Sequence, residues 1–433
     1  MKTSSFLIAA PNSNSGKTLL SLALMRALVK RGINVQAFKC GPDYIDPMHH
    51  KAISGKASYN LDLWMSSEQH VKNTFNKQAA QANVSIVEGV MGLFDGANKA
   101  EGSSAEIAKS LDISVIIVLD AKAMAYSSAA LLYGLKNFDS KLKIGGVIFN
   151  RVSGEPHYQF LREAAKDAGI ESLGYMPHHA DLNIESRHLG LHLPHENQLQ
   201  HIEFAAELAE KHININRLLK LTEQTHAKFR KEQVLPTRKL RIAIAHDEAF
   251  NFTYQANINA LNNLGTMELF SPLHDAQMPE ADLLYLPGGY PELYATKLAQ
   301  NIGMKQSIRA FIESEKITIA ECGGMMYLGR KLTDANGKTE DMCGVFNFSS
   351  SFEDAKLHLG YRKIMSTDLE IRGHEFHYSK LIQCHEESQK IGVENARGAK
   401  VESSIFKYKK CWASYLHLYL GEEEMMQKFI AQI

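Results

Sequence analysis

Cysteine is scarce, neither charge is in excess, and no long apolar run occurs. Five cysteines lie scattered through 433 residues without a CxxC spacing. An odd, dispersed set argues against a disulfide framework and a zinc site, and it points to the reducing cytoplasm. Lys plus Arg and Asp plus Glu each number 48, so the formal net charge is zero. No basic field therefore draws nucleic acid or an anionic membrane. Mean hydropathy is −0.24, and nothing approaches the ~18 apolar residues of a membrane span. The apolar stretch Phe6–Ala10 is too short for the ~7–15 residue core of a signal peptide. No internal repeat or low-complexity segment stands out.

What is present is ordinary for a soluble globular protein: 45% hydrophobic and 22% charged residues. At ~150 residues per domain the length implies two or three domains. Short, nearly all-apolar runs at Phe6–Ala10, Val84–Val87, Ile113–Leu119 and Ile144–Phe149 alternate with helical stretches such as Leu19–Lys30. That pattern predicts an α/β fold with a parallel sheet covered on both faces. Residues 197–232 read as polar and helical. A second series of strand signals then starts at Leu240–Ala245 and continues at Leu283–Leu286 and Ile317–Ala320. The boundary is placed near 232–239, giving α/β domains over 1–236 and 237–433.

The first strand runs into Pro11-Asn12-Ser13-Asn14-Ser15-Gly16-Lys17-Thr18 and then a helix. Strand, glycine-containing loop and helix are the setting of a phosphate loop, whose N–H groups cradle phosphate oxygens at a helix start. Asn12, Ser13, Ser15 and Gly16 form the cradle, Lys17 reaches the β- and γ-phosphates, and Thr18 is a ligand for Mg²⁺. The usual first glycine is missing, with Pro11 five positions before Gly16, or Ala10 in a looser spacing. Acids follow two other strands: Asp43 and Asp46 after Val35–Lys39, and Glu88 with Asp95 after Val84–Val87. Ligands of an open parallel sheet bind beyond the carboxyl ends of its strands, so all four are expected near the γ-phosphate.

The other half has Cys322 on a strand–turn–helix with Ala320 and Gly324 beside it, the pattern of a nucleophile elbow. A helix N-terminus is expected to lower its pKa. His417, in a late strand-like segment, is the candidate base. Gly288 and Gly289 close a strand where backbone donors could hold an oxyanion.

Taken in order, the motifs resemble those of the cobyrinate a,c-diamide synthase family. In that family a dethiobiotin-synthetase-like P-loop ATPase domain is fused to a class I glutamine amidotransferase domain. The resemblance rests on the phosphate loop, GPDYIDP (41–47), Asn60-Leu61-Asp62, EGVMGLFDG (88–96), FNRV (149–152) and RHLGL (187–191). It continues through LPGGYPE (286–292), ECGGMMYL (321–328), Gly360-Tyr361-Arg362, GHEFHYS (373–379) and SYLHL (414–418).

The resemblance implies that residues 1–236 activate a carboxylate with MgATP and that 237–433 release ammonia from L-glutamine. It makes Cys322 and His417 catalytic and gives the oxyanion the N–H groups of Gly289 and Gly323. It assigns Mg²⁺ to Thr18, Asp43 and Glu88, and the adenine contact to Asn150. Tyr44 and Ile45 face substrate, and Asp43, Asp46 and Asp95 belong to the phosphoryl-transfer region. The implied substrate is cobyrinate, amidated on its a and c side chains during cobalamin synthesis. Hydrogenobyrinate and nickel sirohydrochlorin are the alternatives, and a homodimer is left open.

Two positions depart from the pattern. Asn14 stands where the loop usually has Gly, and Tyr419 where triad amidotransferases carry Glu, so the third member of the Cys–His site stays open. A partitioning-type ATPase with an inactive second half is a rival. Its extra early lysine is absent, Asn12 and Ser13 standing there, and Cys322 and His417 are intact. The remaining residues take plain readings. His49, His50, His178 and His179 are not metal ligands, and His188, His374 and His377 are structural or substrate-lining. Cys40, Cys343, Cys384 and Cys411 are passive thiols, and Met325 and Met326 are core.

Overall fold

Alternating apolar side chains that must be hidden on both sides of a sheet set the architecture. The computed structural model describes residues 3–182, 186–187, 190–191, 196–224, 240–365, 369–385, 391–422 and 424–433. The chain divides into two compact units, Met1–Glu232 and Gln233–Ile433. The 236/237 boundary and His188 of RHLGL lie outside the described residues.

The first unit is built on β1 (Thr3–Ala9), β2 (Val35–Cys40), β3 (Tyr59–Leu61), β4 (Val84–Glu88), β5 (Ser114–Asp120), β6 (Ile144–Val152) and β7 (Ser172–Pro177). Their order is β3-β2-β4-β1-β5-β6-β7, parallel throughout, with the short strand Glu223–Gln224 antiparallel on β1. Successive residues of β1 serve opposite faces. Leu7 and Ala9 join one core with Val87 and Ile117, while Phe6 and Ile8 join the other with Ile86 and Ile116. This two-sided burial is why the strands read as continuous apolar runs. Helix α1 (Lys17–Lys30) follows β1, and α2 (Ile45–Ser54) follows β2. Of the polar stretch, two helices are seen, Glu196–His212 and Ile215–Leu221, before the strand Glu223–Gln224, and 225–232 lie outside the described residues. The second helix starts at Asn214, whose side chain accepts the Arg217 N–H.

The second unit has a sheet of β8 (Leu240–Ala245), β9 (Gly265–Phe270), β10 (Leu283–Leu286) and β11 (Ile317–Glu321), continued by two later strands. Helix α3 (Gly323–Leu328) follows β11, and β12 (His358–Met365) and β13 (Glu370–His377) form a hairpin. The chain then adds β14 (Ile405–Tyr408), β15 (Cys411–Ser414) and β16 (Leu416–Leu418). The main sheet runs β9-β8-β10-β11-β15-β14, with only β14 antiparallel. One face packs Ala243, Leu284, Leu286 and Ala320, the other Ile242, Ile244, Leu283 and Ile319. A second, antiparallel sheet joins Gly392–Asn395, β12, β13 and β16, and sets His374 opposite His417. Among the described residues, no helix is long and apolar enough to cross a membrane.

Candidate active sites

In the first unit the polar residues gather where β1, β2 and β4 end. The phosphate loop turns through Asn14 at φ 61° and Gly16 at φ 92°, so Asn14 takes the left-handed backbone that Asn tolerates better than most residues. Gly16 is required for a second reason. A Cβ there would lie 2.0 Å from Nδ2 of Asn150, which donates to the Ser15 carbonyl at 2.9 Å. Ser15 Oγ donates to the Asn12 carbonyl at 3.0 Å, while Ser13 is exposed. Lys17 Nζ spans the loop, donating to the carbonyls of Met91 at 2.6 Å and Asn12 at 3.1 Å. Burial, then the charge of Lys39, lowers its pKa to about 8.

Thr18 Oγ1 donates to Oε1 of Glu88 at 2.6 Å. Glu88 is fully buried and also meets Lys39 Nζ at 3.0 Å and His50 Nε2 at 2.8 Å. Burial opposes its charge, but Lys39 and His50 outweigh it and hold the carboxyl well below its usual range. Lys39 is bonded to Asp46 and lies 3.9 Å from Asp43 Oδ2. These acids overcome its burial and keep it protonated. Burial, then Asp43 and Glu88, pushes Asp46 up. Asp43 also caps α2, its Oδ1 accepting the N–H groups of Ile45 at 2.9 Å and Asp46 at 3.0 Å. Tyr44 and Ile45 are buried at that helix start. Asp95 accepts the Gly92 N–H at 2.9 Å, within electrostatic reach of Lys17. Three of the four expected acids thus surround Lys39, and the fourth lies on the Lys17 side.

Sequence reasoning missed Lys39 and His50. A lysine near the end of a largely apolar strand, Val35–Cys40, was the available signal for the first. The His50 ring lies between Ser58 Oγ at 2.9 Å and Glu88 Oε2 at 2.8 Å. No group of three or more His, Cys, Asp or Glu poised for a metal occurs among the described residues.

In the second unit Cys322 has φ 45° and ψ −101°, between β11 and α3. A non-glycine residue in that region is strained and is held there by its surroundings. His417 reaches it from β16. A Cβ on Gly288 would lie 2.4 Å from His417 Cε1 and 3.4 Å from Cys322 Cβ, so the two side chains flank one glycine. Gly289 N lies 3.0 Å from where a Cβ of Gly323 would stand, which brings together the two peptides expected at the oxyanion.

The electrostatics correct one expectation. Burial, then Glu292, pushes the Cys322 thiol up, and the opposing N–H of Gly323 does not reverse it. Helix α3 spans six residues, and the dipole of so short a helix does not offset the lost hydration of a buried thiolate. Burial, then His374 and His377, holds His417 well below its ordinary range. The resting pair is thiol and neutral imidazole.

His374 stacks on His417 with ring centroids 4.9 Å apart and planes 18° apart, and its Nδ1 lies 2.8 Å from the Tyr254 hydroxyl. His377 meets Glu375 at 2.9 Å and lies flat on Tyr415, with ring centroids 3.7 Å apart. Both histidines of GHEFHYS therefore line the surroundings of His417. Met325 and Met326 are core, as are Cys40, Cys343 and Cys411, while Cys384 is exposed.

Comparison with known proteins covers both units. Residues 6–191 match the CobQ/CobB/MinD/ParA nucleotide binding domain, and residues 241–425 match the CobB/CobQ-like glutamine amidotransferase domain. A cobyrinate a,c-diamide synthase of Picrophilus torridus is 41% identical, over 97% of this chain and 96% of its own. One from Caldanaerobacter subterraneus is 39% identical, over 96% of this chain and 95% of its own. A hydrogenobyrinate a,c-diamide synthase of Rhodobacter capsulatus is also 39% identical, over 96% of this chain and 98% of its own. With a phosphate loop in one unit, a Cys–His pair in the other and identity of this order end to end, the chain belongs to the cobyrinate a,c-diamide synthase family.

Proposed function

We propose that this chain is a cytoplasmic ligase that uses ATP and glutamine to convert the a and c carboxylates of cobyrinate into amides. The observation that carries the reading is the flanking of Gly288 by Cys322 and a neutral His417, in a chain that also holds a phosphate loop.

In the second unit the Cys322 sulfur adds to the side-chain amide carbon of glutamine as its proton passes to His417. A neutral imidazole is ready to take that proton. The N–H groups of Gly289 and Gly323 face the developing oxyanion. His417 returns the proton to the leaving nitrogen, the C–N bond breaks, and ammonia departs. Water then hydrolyses the thioester to glutamate.

In the first unit a substrate carboxylate oxygen attacks the γ-phosphorus of ATP and expels ADP, giving an acyl phosphate. Ammonia adds to the acyl carbon and phosphate leaves. A carboxylate resists amine attack until one oxygen becomes a good leaving group, which is why ATP is consumed. Lys17 offsets charge on the transferring phosphoryl group. Asn150, beneath the loop, is assigned to the adenine end, and Tyr44, Ile45, Asp46 and Asp95 to the acceptor side. Mg²⁺, when bound, neutralises phosphate charge. Thr18 and Glu88, with oxygens 2.6 Å apart, and Asp43 would hold it, a hard-oxygen donor set suited to that ion.

The test is product mass. The full chain is incubated with glutamine, MgATP and one of cobyrinate, hydrogenobyrinate or nickel sirohydrochlorin. Two carboxylate-to-amide conversions of cobyrinate are expected. Preference for another macrocycle moves the substrate assignment, and glutamine consumption without amidation of any overturns the ligase reading.

A further inference from the structure

Triad amidotransferases carry a carboxylate two residues after the histidine, but here that residue is Tyr419, packed edge-on against Tyr254 with ring centroids 5.2 Å apart. Something else must fix the imidazole against the thiol, since a misplacement of about 1 Å can cost on the order of a hundred-fold in rate.

Glu321 is tied to both catalytic segments. It is the last residue of β11 and the covalent neighbour of Cys322. Its Oε1 accepts the N–H of Leu418, the residue after His417, at 3.1 Å. Its Oε2 accepts the Tyr285 hydroxyl at 2.8 Å. On the other side of the same residue, Asn257 Nδ2 donates to the Leu418 carbonyl at 2.8 Å, and Asn257 Oδ1 accepts the Leu420 N–H at 2.8 Å. Glu321 and Asn257 are each 1% exposed, so the peptides flanking Leu418 are gripped from two sides out of reach of water.

This arrangement costs stability. Burial, partly offset by the Leu418 and Tyr285 bonds, raises the Glu321 carboxyl to about 8. An apolar side chain would fill the space without burying an acid. What the acid supplies, and an apolar residue would not, is an acceptor for the backbone beside His417.

We propose that Glu321 is a positioning residue: by holding the Leu418 N–H it sets His417 against Cys322, the part a carboxylate at position 419 would otherwise take. The assignment rests on the glutamine-hydrolysing reading of the second unit and deepens it.

The full chain carries its own control, because added ammonium bypasses glutamine. Glu321→Ala is expected to lower kcat for glutamine hydrolysis by about ten- to a hundred-fold, with KM within about two-fold and ammonium-driven amidation unchanged. Glu321→Gln can still accept the Leu418 N–H and should return kcat to within about three-fold of the unaltered chain. An unchanged kcat in Glu321→Ala, or a Glu321→Gln as slow as Glu321→Ala, overturns the proposal. Because the alanine variant leaves a cavity, Glu321→Asp is measured too. It keeps the carboxyl but draws it back from Leu418, so the same kcat loss at preserved KM is expected, and a full rate counts against the role. Failure of the unaltered chain to hydrolyse glutamine is a separate result, and it would remove the reading beneath.

Discussion

Thr18 and Glu88, seventy residues apart in the chain, meet at 2.6 Å where β1 and β4 end side by side. The hydroxyl at the start of α1 and the carboxylate at the end of β4 thus face one point in the first unit. Glu88 reaches that point ionised because Lys39 and His50 grip it from behind.

Removing either charge at this point should stop the chemistry whatever the nitrogen source. Lys17→Ala and Glu88→Gln are each expected to lower amidation by at least about a hundred-fold with glutamine or with ammonium, as loss of one fixed transition-state charge does elsewhere. Product formation by mass spectrometry checks this. Normal turnover in either variant would take that residue out of the site.

Cys322→Ala should separate the two reactions. Glutamine-dependent amidation is expected to vanish while ammonium-dependent amidation stays near the unaltered rate, measured on one preparation. Glutamate release persisting in the variant would rule out Cys322 as the nucleophile.

Gly288→Ala probes the pair by geometry alone. The new methyl would stand 2.4 Å from His417 Cε1, so the imidazole must move away. A loss on the order of a hundred-fold in glutamine hydrolysis is expected, with the ammonium rate retained. Undiminished hydrolysis would mean that His417 is not held where the structure has it.

His374 predicts a pH dependence of stability. Burial, then Arg362, lowers its pKa from 6.5 to about 3. The unfolded chain therefore takes up a proton below 6.5 that the folded chain refuses until about 3. The stability owed to the neutral ring is complete above 6.5 and lost as pH falls through that window, at about 1.4 kcal/mol per unit. Denaturant unfolding can be followed by Trp412 in a Trp64→Phe background, since the chain has two tryptophans. Between pH 6.5 and 5 the parent should lose about 2 kcal/mol more than His374→Asn. Equal slopes would mean that the ring titrates normally.

The α/β character of both units, the phosphate loop and the Cys322 turn were legible because each is local. Strand periodicity, a glycine a few residues past a strand and small residues beside a cysteine are fixed by neighbours in the chain. The limits of the reading show at Lys39 and Glu321. Each sits in a strand that otherwise reads as core, and nothing within a few positions names its partners, Asp46 and Glu88 for one, Tyr285 and Leu418 for the other.

The residue order alone singled out the candidate groups: Lys17 and Thr18 at a helix start, Glu88 at a strand end, Cys322 on its turn, His417 in a late apolar run. Tertiary structure alone decided how they are poised. Register in the antiparallel sheet set His374 against His417, and dry packing pushed the Cys322 thiol up and held the imidazole neutral. Periodicity is a property of adjacent residues, whereas desolvation depends on everything that packs around a group, and that is settled only when distant strands meet.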